Sequence, residues 1–175
     1  MKILIIVLLV TSKTQSHQLQ QEDNMDLKLI NGYLKVFEGY KETVYIDSLG
    51  NPTVGIGHLI KGDESPYIEP IIGFRINQKQ IEELFNNDIK DAVKKAKTII
   101  PNFEQHPSEV QSFLVMMCFN LGYKLKTFKK ANKHLINFNY GLARDEYLDS
   151  VWCKQVGIRR ATHTTNLLRF EIWKL

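Results

Sequence analysis

The chain has 175 residues, 43% of them apolar and 24% charged, and its 23 basic and 19 acidic side chains give a formal charge of +4. That length accommodates one domain with a full core and is short for two. The apolar fraction excludes a disordered chain, and so small a net charge is no nucleic-acid footprint.

The first element in chain order reads as a secretory signal peptide over residues 1–16. Met1 and Lys2 make a short positive start, Ile3 to Val10 are eight consecutive aliphatic residues, and Thr11 to Ser16 turns polar and ends on a small residue. The apolar run is too short to span a bilayer, and no later stretch is long enough to do so. The expected product is therefore a secreted chain of residues 17–175 without membrane insertion. Losing Lys2 and Lys13 leaves 21 basic against 19 acidic residues, a formal charge of +2. Of the two cysteines, Cys118 and Cys153 both fall in apolar helical patterns, and free buried thiols are the expectation. There is no CxxC, HExxH or Cys/His cluster, so neither a metal nor another cofactor is implied.

After a polar lead-in, Leu27, Ile30, Leu34 and Phe37 recur at helical spacing, and Gly39 is a natural stop. The pattern then changes to β-branched, alternating runs at Thr43–Asp47 and Thr53–His58, separated by Ser48 to Pro52, which predicts a hairpin. Residues 66–70 read as loop, and Ile71–Ile76 as a third short strand. Asn77-Gln78-Lys79-Gln80 has the form of a capping box, followed by a helical face of Ile81, Leu84, Phe85, Ile89, Ala92 and Val93 running to about Ile99. Pro101 breaks it. Ser108 to Gln111 reads as a second capping box, opening a helix in which Phe113 to Phe119 are all apolar. A helix apolar on every side is buried on every side, and Gly122 ends it. Shorter helical patterns cover Phe128–Ile136, Leu142–Val151 and Ile158–Trp173. The predicted class is α+β: a small antiparallel β-rich lobe over about 39–76, a linking helix over about 77–99, and a larger helical lobe over about 101–175 on which the first helix packs.

Two carboxyl groups in this layout invite a chemical reading. Glu38 ends the first helix beside its apolar stripe, where the partial negative charge of the helix terminus and partial burial favour a carboxyl that holds its proton, as a general acid needs. Asp47 lies nine residues on, at a strand end, and is expected to be more exposed and ionised. Carboxyl groups placed in contrasting environments are the arrangement used for glycoside hydrolysis. With 19 acidic residues such a pair also arises readily by chance.

The surrounding residues narrow the reading. Phe37-Glu38-Gly39-Tyr40, Val44-Tyr45-Ile46-Asp47 and Thr53-Val54-Gly55-Ile56-Gly57-His58-Leu59 closely resemble the catalytic segment of phage-type lysozymes of glycoside hydrolase family 24, in which Glu, eight residues, Asp, five residues, Thr is the spacing. Leu84 to Asp88, Met117 to Gly122 and Gly157 to Ala161 resemble the family's linking, central and last helices. The resemblance implies a lysozyme cutting β-1,4 bonds of peptidoglycan with inversion, with Glu38 as general acid, Asp47 positioning or deprotonating the attacking water, and Thr53 holding that water. It implies glycan contacts from Leu59, Phe119 and Asn120, a backbone role for Gly55 and Gly57 at the cleft edge, and a structural His58–Asp88 pair in place of a catalytic histidine. At two positions where the family's best-known phage member faces the saccharide with serine and asparagine, the nearest alignment gives Ala131 and Glu146. The implied partner is bacterial peptidoglycan, with no nucleic acid, and the protein is expected to be a monomer. Two other readings are a non-catalytic wall-binding relative, against which the three intact catalytic positions argue, and a membrane-active antibacterial protein built on the lysines between Lys124 and Lys133. A solvated face is the simpler account of those lysines.

Overall fold

The computed structural model describes residues 27–47, 50–61 and 71–169. The signal peptide, the loop at 66–70 and the end of the last predicted helix, Trp173 included, lie outside the described residues. Helix α1 (Leu27–Glu38) buries Ile30 and Leu34 from its apolar stripe and stops at Gly39, whose φ of 80° few other residues adopt. Strands β1 (Lys41–Ile46), β2 (Pro52–Gly55) and β3 (His58–Leu59) form one antiparallel sheet in that order.

The predicted strand at Thr53–His58 is in fact a second hairpin. Gly55, Ile56 and Gly57 make a three-residue connection, and β3 folds back so that Thr53 opposes Leu59 and Val54 opposes His58. Gly55 and Gly57 adopt φ values of 67° and 69°, which favour glycine. The expected strand at Ile71–Ile76 is also corrected. This segment runs beside β1 through the hydrogen bonds Val44 N to Phe74 O and Ile76 N to Glu42 O, but pairs with it only as an isolated bridge at Thr43 and Arg75. A turn at Gly73, with φ of 87° and Phe74 N bonded to Ile71 O, bends the chain before a strand can propagate.

Helix α2 (Gln78–Ile99) opens with the predicted capping box complete: Asn77 Oδ1 accepts from Gln80 N at 3.0 Å, and Asn77 N donates to Gln80 Oε1 at 2.8 Å. Its buried face, Ile81, Phe85, Ile89, Ala92 and Ala96, follows the predicted stripe and carries the chain from the sheet into the helical layer. Helix α3 (Ser108–Leu121) is the central strut, buried at every residue from Val110 to Cys118. Its start is not the capping box the sequence suggested. Pro107 holds the cap position without a side-chain cap, Ser108 is already helical, and Gln111 turns inward to donate to His106 O at 2.8 Å. Gln111 is itself buried, so the His106 carbonyl is a better partner for it than the helix end.

Helices α4 (Lys129–Ile136), α5 (Tyr140–Leu148), α6 (Val151–Val156) and α7 (Ile158–Thr165) wrap this strut. The helical run predicted over Leu142–Val151 is divided between α5 and α6 because Ser150 caps the new helix, its Oγ accepting from Cys153 N. Tyr147, completely buried, packs on Phe113, Phe128 and Trp152 and donates to Asn132 Oδ1 at 2.9 Å. Asn132 passes the polarity on to Leu125 O at 2.8 Å, so this deep polar pair is satisfied. Cys118 and Cys153 are both buried free thiols, and burial pushes Cys118 up to about 12. No described helix is long and apolar enough to cross a membrane.

His106 is a buried histidine whose environment opposes charge. It is 4% exposed, its Nδ1 lies 2.9 Å from the Tyr140 hydroxyl, and its Nε2 has no partner. Burial holds its pKa below the ordinary value, because an imidazolium would add a buried charge and an unpaired N–H. The unfolded chain therefore takes up a proton near pH 6.5 that the folded one refuses. Stability from this site is complete above that pH and is lost as pH falls below it, at up to about 1.4 kcal/mol per pH unit. Urea unfolding at pH 7 and pH 5 should show a larger acid loss for the wild type than for His106→Phe. Equal losses would show that His106 contributes nothing to the acid sensitivity.

Candidate active site

The conjunction of α1 and the first hairpin brings three predicted residues to one place. Tyr45 and Thr53 are directly opposed across β1 and β2, so their side chains share a face, and Leu59 opposes Thr53 from the other side. Asp47 follows two residues after Tyr45 at the strand end. The Tyr45 hydroxyl is raised above its usual pKa by burial first, and then by the charges of Glu38 and of Asp47. A single ring thus lies within the field of both carboxylates, one arriving from the helix and the other from the strand.

Asp47 and Thr53 are organised by Asn51. Its backbone N–H donates to Asp47 Oδ1 at 2.8 Å and its side-chain amide to Oδ2 at 3.4 Å, so both carboxylate oxygens have a donor from one residue. The Asn51 carbonyl in turn accepts from Asp47 N at 2.9 Å and from the Thr53 hydroxyl at 3.2 Å. Thr53 is 4% exposed, and its proton is committed to that carbonyl, so its oxygen remains as an acceptor. Sequence reasoning passed over Asn51 as a turn residue. An asparagine four residues after an aspartate in a tight loop is the signal that was available, since Asn and Asp hydrogen-bond locally in turns.

Glu38 is held from two sides. Arg160, on α7, donates through Nη2 to Glu38 Oε1, and both side chains are largely buried, 18% and 19% exposed. The guanidinium also lies 5.4 Å from the centre of the Phe37 ring. On the opposite side is the backbone of Gly57, where a Cβ would sit 3.3 Å from Glu38 Cβ. The sequence reading treated the helix end and the apolar stripe as the whole environment of Glu38. It omitted this cation, which lies 122 residues away in sequence and which no local pattern reveals.

The other predicted residues are placed as follows. His58 Nδ1 lies 2.9 Å from Asp88 Oδ2, with the two side chains 12% and 29% exposed, and the pair ties β3 to α2. At Gly55 a Cβ would sit 3.2 Å from Ile81 Cγ2, so the turn packs directly on the start of α2. Leu59 is 42% exposed at the sheet's lip. Phe119 is half-buried, its ring 6.1 Å from that of Phe85, and is joined to the core more than to the surface. Asn120 is exposed, but its Oδ1 accepts from Trp152 Nε1 at 3.1 Å, so its NH2 is what it presents to a ligand. Ala131 is buried within α4, whereas Glu146 lies on α5 at 4.0 Å from Lys130. Among the described residues no His, Cys, Asp and Glu gather as metal ligands would.

The fold is mostly helical α+β, with Glu38 where α1 meets the sheet and Asp47 at the far end of β1, and its class is that of the lysozyme-like glycoside hydrolases. Residues 35–164 match the family model for phage lysozyme, and the chain belongs to that family. It is also similar to a probable T4-type lysozyme 2 of Dictyostelium discoideum, with 28% identity over 141 residues, spanning 70% of this chain and 83% of that protein.

Gly57 is the position where backbone freedom and site geometry meet. Gly57→Ala should lose about 1–3 kcal/mol through its positive φ alone. It should also push on Glu38 and reduce activity at least tenfold at a temperature where the variant is still folded. Activity at the wild-type level in the folded variant would show that this close approach is incidental.

Proposed function

We propose that this protein is an exported muramidase, a lysozyme that hydrolyses the β-1,4 bond between N-acetylmuramic acid and N-acetylglucosamine in bacterial peptidoglycan and serves antibacterial or digestive lysis. The observation that carries this reading is the Asp47–Asn51–Thr53 hydrogen-bond network on the hairpin that holds Tyr45, whose hydroxyl feels the charges of both Glu38 and Asp47.

In this mechanism Glu38 is the general acid. Arg160 has only donors to offer, so the proton that Glu38 delivers rides on Oε2, and the guanidinium fixes which way that oxygen points. Oε2 protonates the glycosidic oxygen as the bond to the anomeric carbon breaks. On the far face of the ring, a water donates one hydrogen to Asp47 and the other to Thr53 Oγ1, the one polar function that hydroxyl still has available. Both of its hydrogens are then turned away from the sugar, and a lone pair is directed at the anomeric carbon. Asp47 takes the water's proton as the new C–O bond forms. Attack opposite to departure inverts the anomeric centre, a geometry that calls for carboxyls roughly 6.5–9.5 Å apart. The Leu59 side chain, in the same row as Thr53, meets the glycan at the lip, with Phe119 and the Asn120 amide across from it. His58 and Asp88 keep the hairpin in register on α2 and take no part in proton transfer.

Turbidity loss of a peptidoglycan suspension tests the acid. Glu38→Gln keeps the shape and the bond to Arg160 but removes the proton, and clearing should fall by at least a hundredfold. Equal clearing by both proteins would mean either that Glu38 is not the acid or that lysis is non-enzymatic. A folded wild type that binds walls without clearing them would favour the non-catalytic relative.

The stereochemistry has its own test. Proton NMR of the first product from the β-linked glycan should show the α anomer ahead of mutarotation. Initial appearance of the β anomer would rule out inversion.

A further inference from the structure

Lys124 to Lys133 carries five lysines in ten residues and no acidic side chain. The fold turns part of this run into a concave surface. A groove of about 370 Å³ lies between the C-terminal end of α2, at Thr98 and Ile99, and one face of α4, with Lys126, Lys129 and Lys133 on its walls. Lys129, Asn132, Lys133 and Ile136 are spaced i, i+3, i+4 and i+7, so they line one side of the helix along about 10 Å of its axis.

The three groove lysines are exposed, and none of them forms an ion pair among the described residues. Of the lysines around them, Lys130 lies 4.0 Å from Glu146, Lys97 meets Glu104 and Lys95 meets Asp91, while Lys124 and Lys94 do not line the groove. The first turn of α4 has no side-chain cap, which adds partial positive charge at Lys129. The groove is also set away from the point where the hairpin is tied to α2: Thr98 is ten residues beyond Asp88, about 15 Å further along the helix.

We propose that this groove binds a polyanion of repeated phosphodiesters, of the kind carried by bacterial walls, and holds the enzyme on the wall independently of the catalytic cleft. Three exposed cations on a shared concave face select negative charge, and they come from two segments, Lys126 ahead of α4 and Lys129 and Lys133 one turn apart on it, about 6 Å along the axis, so a chain of phosphates engages more of them than a single ion does. Naming a wall polymer as the occupant rests on the muramidase reading. Binding is measured without turnover, however, so failure of one is distinct from failure of the other.

The test is the affinity of the full chain for a fluorescent glycerol-phosphate oligomer at low salt, by anisotropy, with inorganic phosphate as the competing small ion. Substituting glutamine at Lys126, Lys129 and Lys133 together should weaken binding about tenfold, the size expected of three exposed ion pairs combined. A control with glutamine at the exposed Lys79, Lys90 and Lys154 changes net charge equally and should weaken it less than threefold. Equal losses in the two variants would overturn the proposal in favour of bulk charge. It would equally be overturned if the wild type bound the oligomer no better than inorganic phosphate.

Discussion

The ion pair between Glu38 and Arg160 joins the end of the first described helix to the last one across most of the chain. Ordering two segments so far apart costs loop-closure entropy, and a single charged hydrogen bond of about 1.5–3 kcal/mol does not offset it alone. The surroundings supply the remainder. Tyr33 on α1 reaches the Thr164 hydroxyl on α7 and stacks on His163, while Phe37 lies under the Arg160 guanidinium. The Glu38 carboxyl is therefore positioned by the packing of one helix on another, and its orientation is as rigid as that interface.

The hairpin is built on the opposite principle. It is small, partly exposed and rich in turns, and it derives its precision from local hydrogen bonds centred on Asn51 and from glycines that allow close approach. Gly57 brings the turn against Glu38, and Gly55 brings the same turn against Ile81. A side chain at either position would sit in a strained backbone conformation and force Ile81 or Glu38 to give way by a few tenths of an ångström. The His58–Asp88 pair adds a polar tie where the sheet offers too little apolar area to hold itself. A helix end and a hairpin in two layers thus become one structure without a large core beneath the strands.

How much of this was legible in the sequence depended on the range of the interaction. The Asn77 capping box, the all-apolar strut from Phe113 and the stop at Gly122 depend on neighbours three or four residues away, and each appears where the pattern put it. The Glu38, Asp47 and Thr53 spacing was readable for the same reason, since one helix end and one hairpin contain it. The failures came where tertiary context competed with a local signal. Gln111 had a buried carbonyl to satisfy and gave up the helix cap, and Gly73 bent a segment whose composition favoured a strand. Arg160 was invisible because nothing within α7 distinguishes an arginine facing a carboxylate from one facing solvent.

The helical lobe also gives its surface a rigidity that lysine-rich segments rarely have. Asn132 sits on the groove side of α4, yet its amide is fixed between Tyr147 and Leu125 in the interior, and Leu135 on the same helix is fully buried. The helix cannot rotate or slide without breaking that buried pair, and leaving either partner unsatisfied costs about 1–3 kcal/mol. The lysines flanking Asn132 therefore extend from a fixed backbone, and only their own side chains need ordering when an anion arrives. A lysine run on a mobile loop would lose backbone entropy as well. The same buried polar link that keeps the core in register thus makes a weakly charged protein locally selective for negative charge, because it is the fixed spacing of the cations, more than their number, that distinguishes a groove from a diffuse cloud.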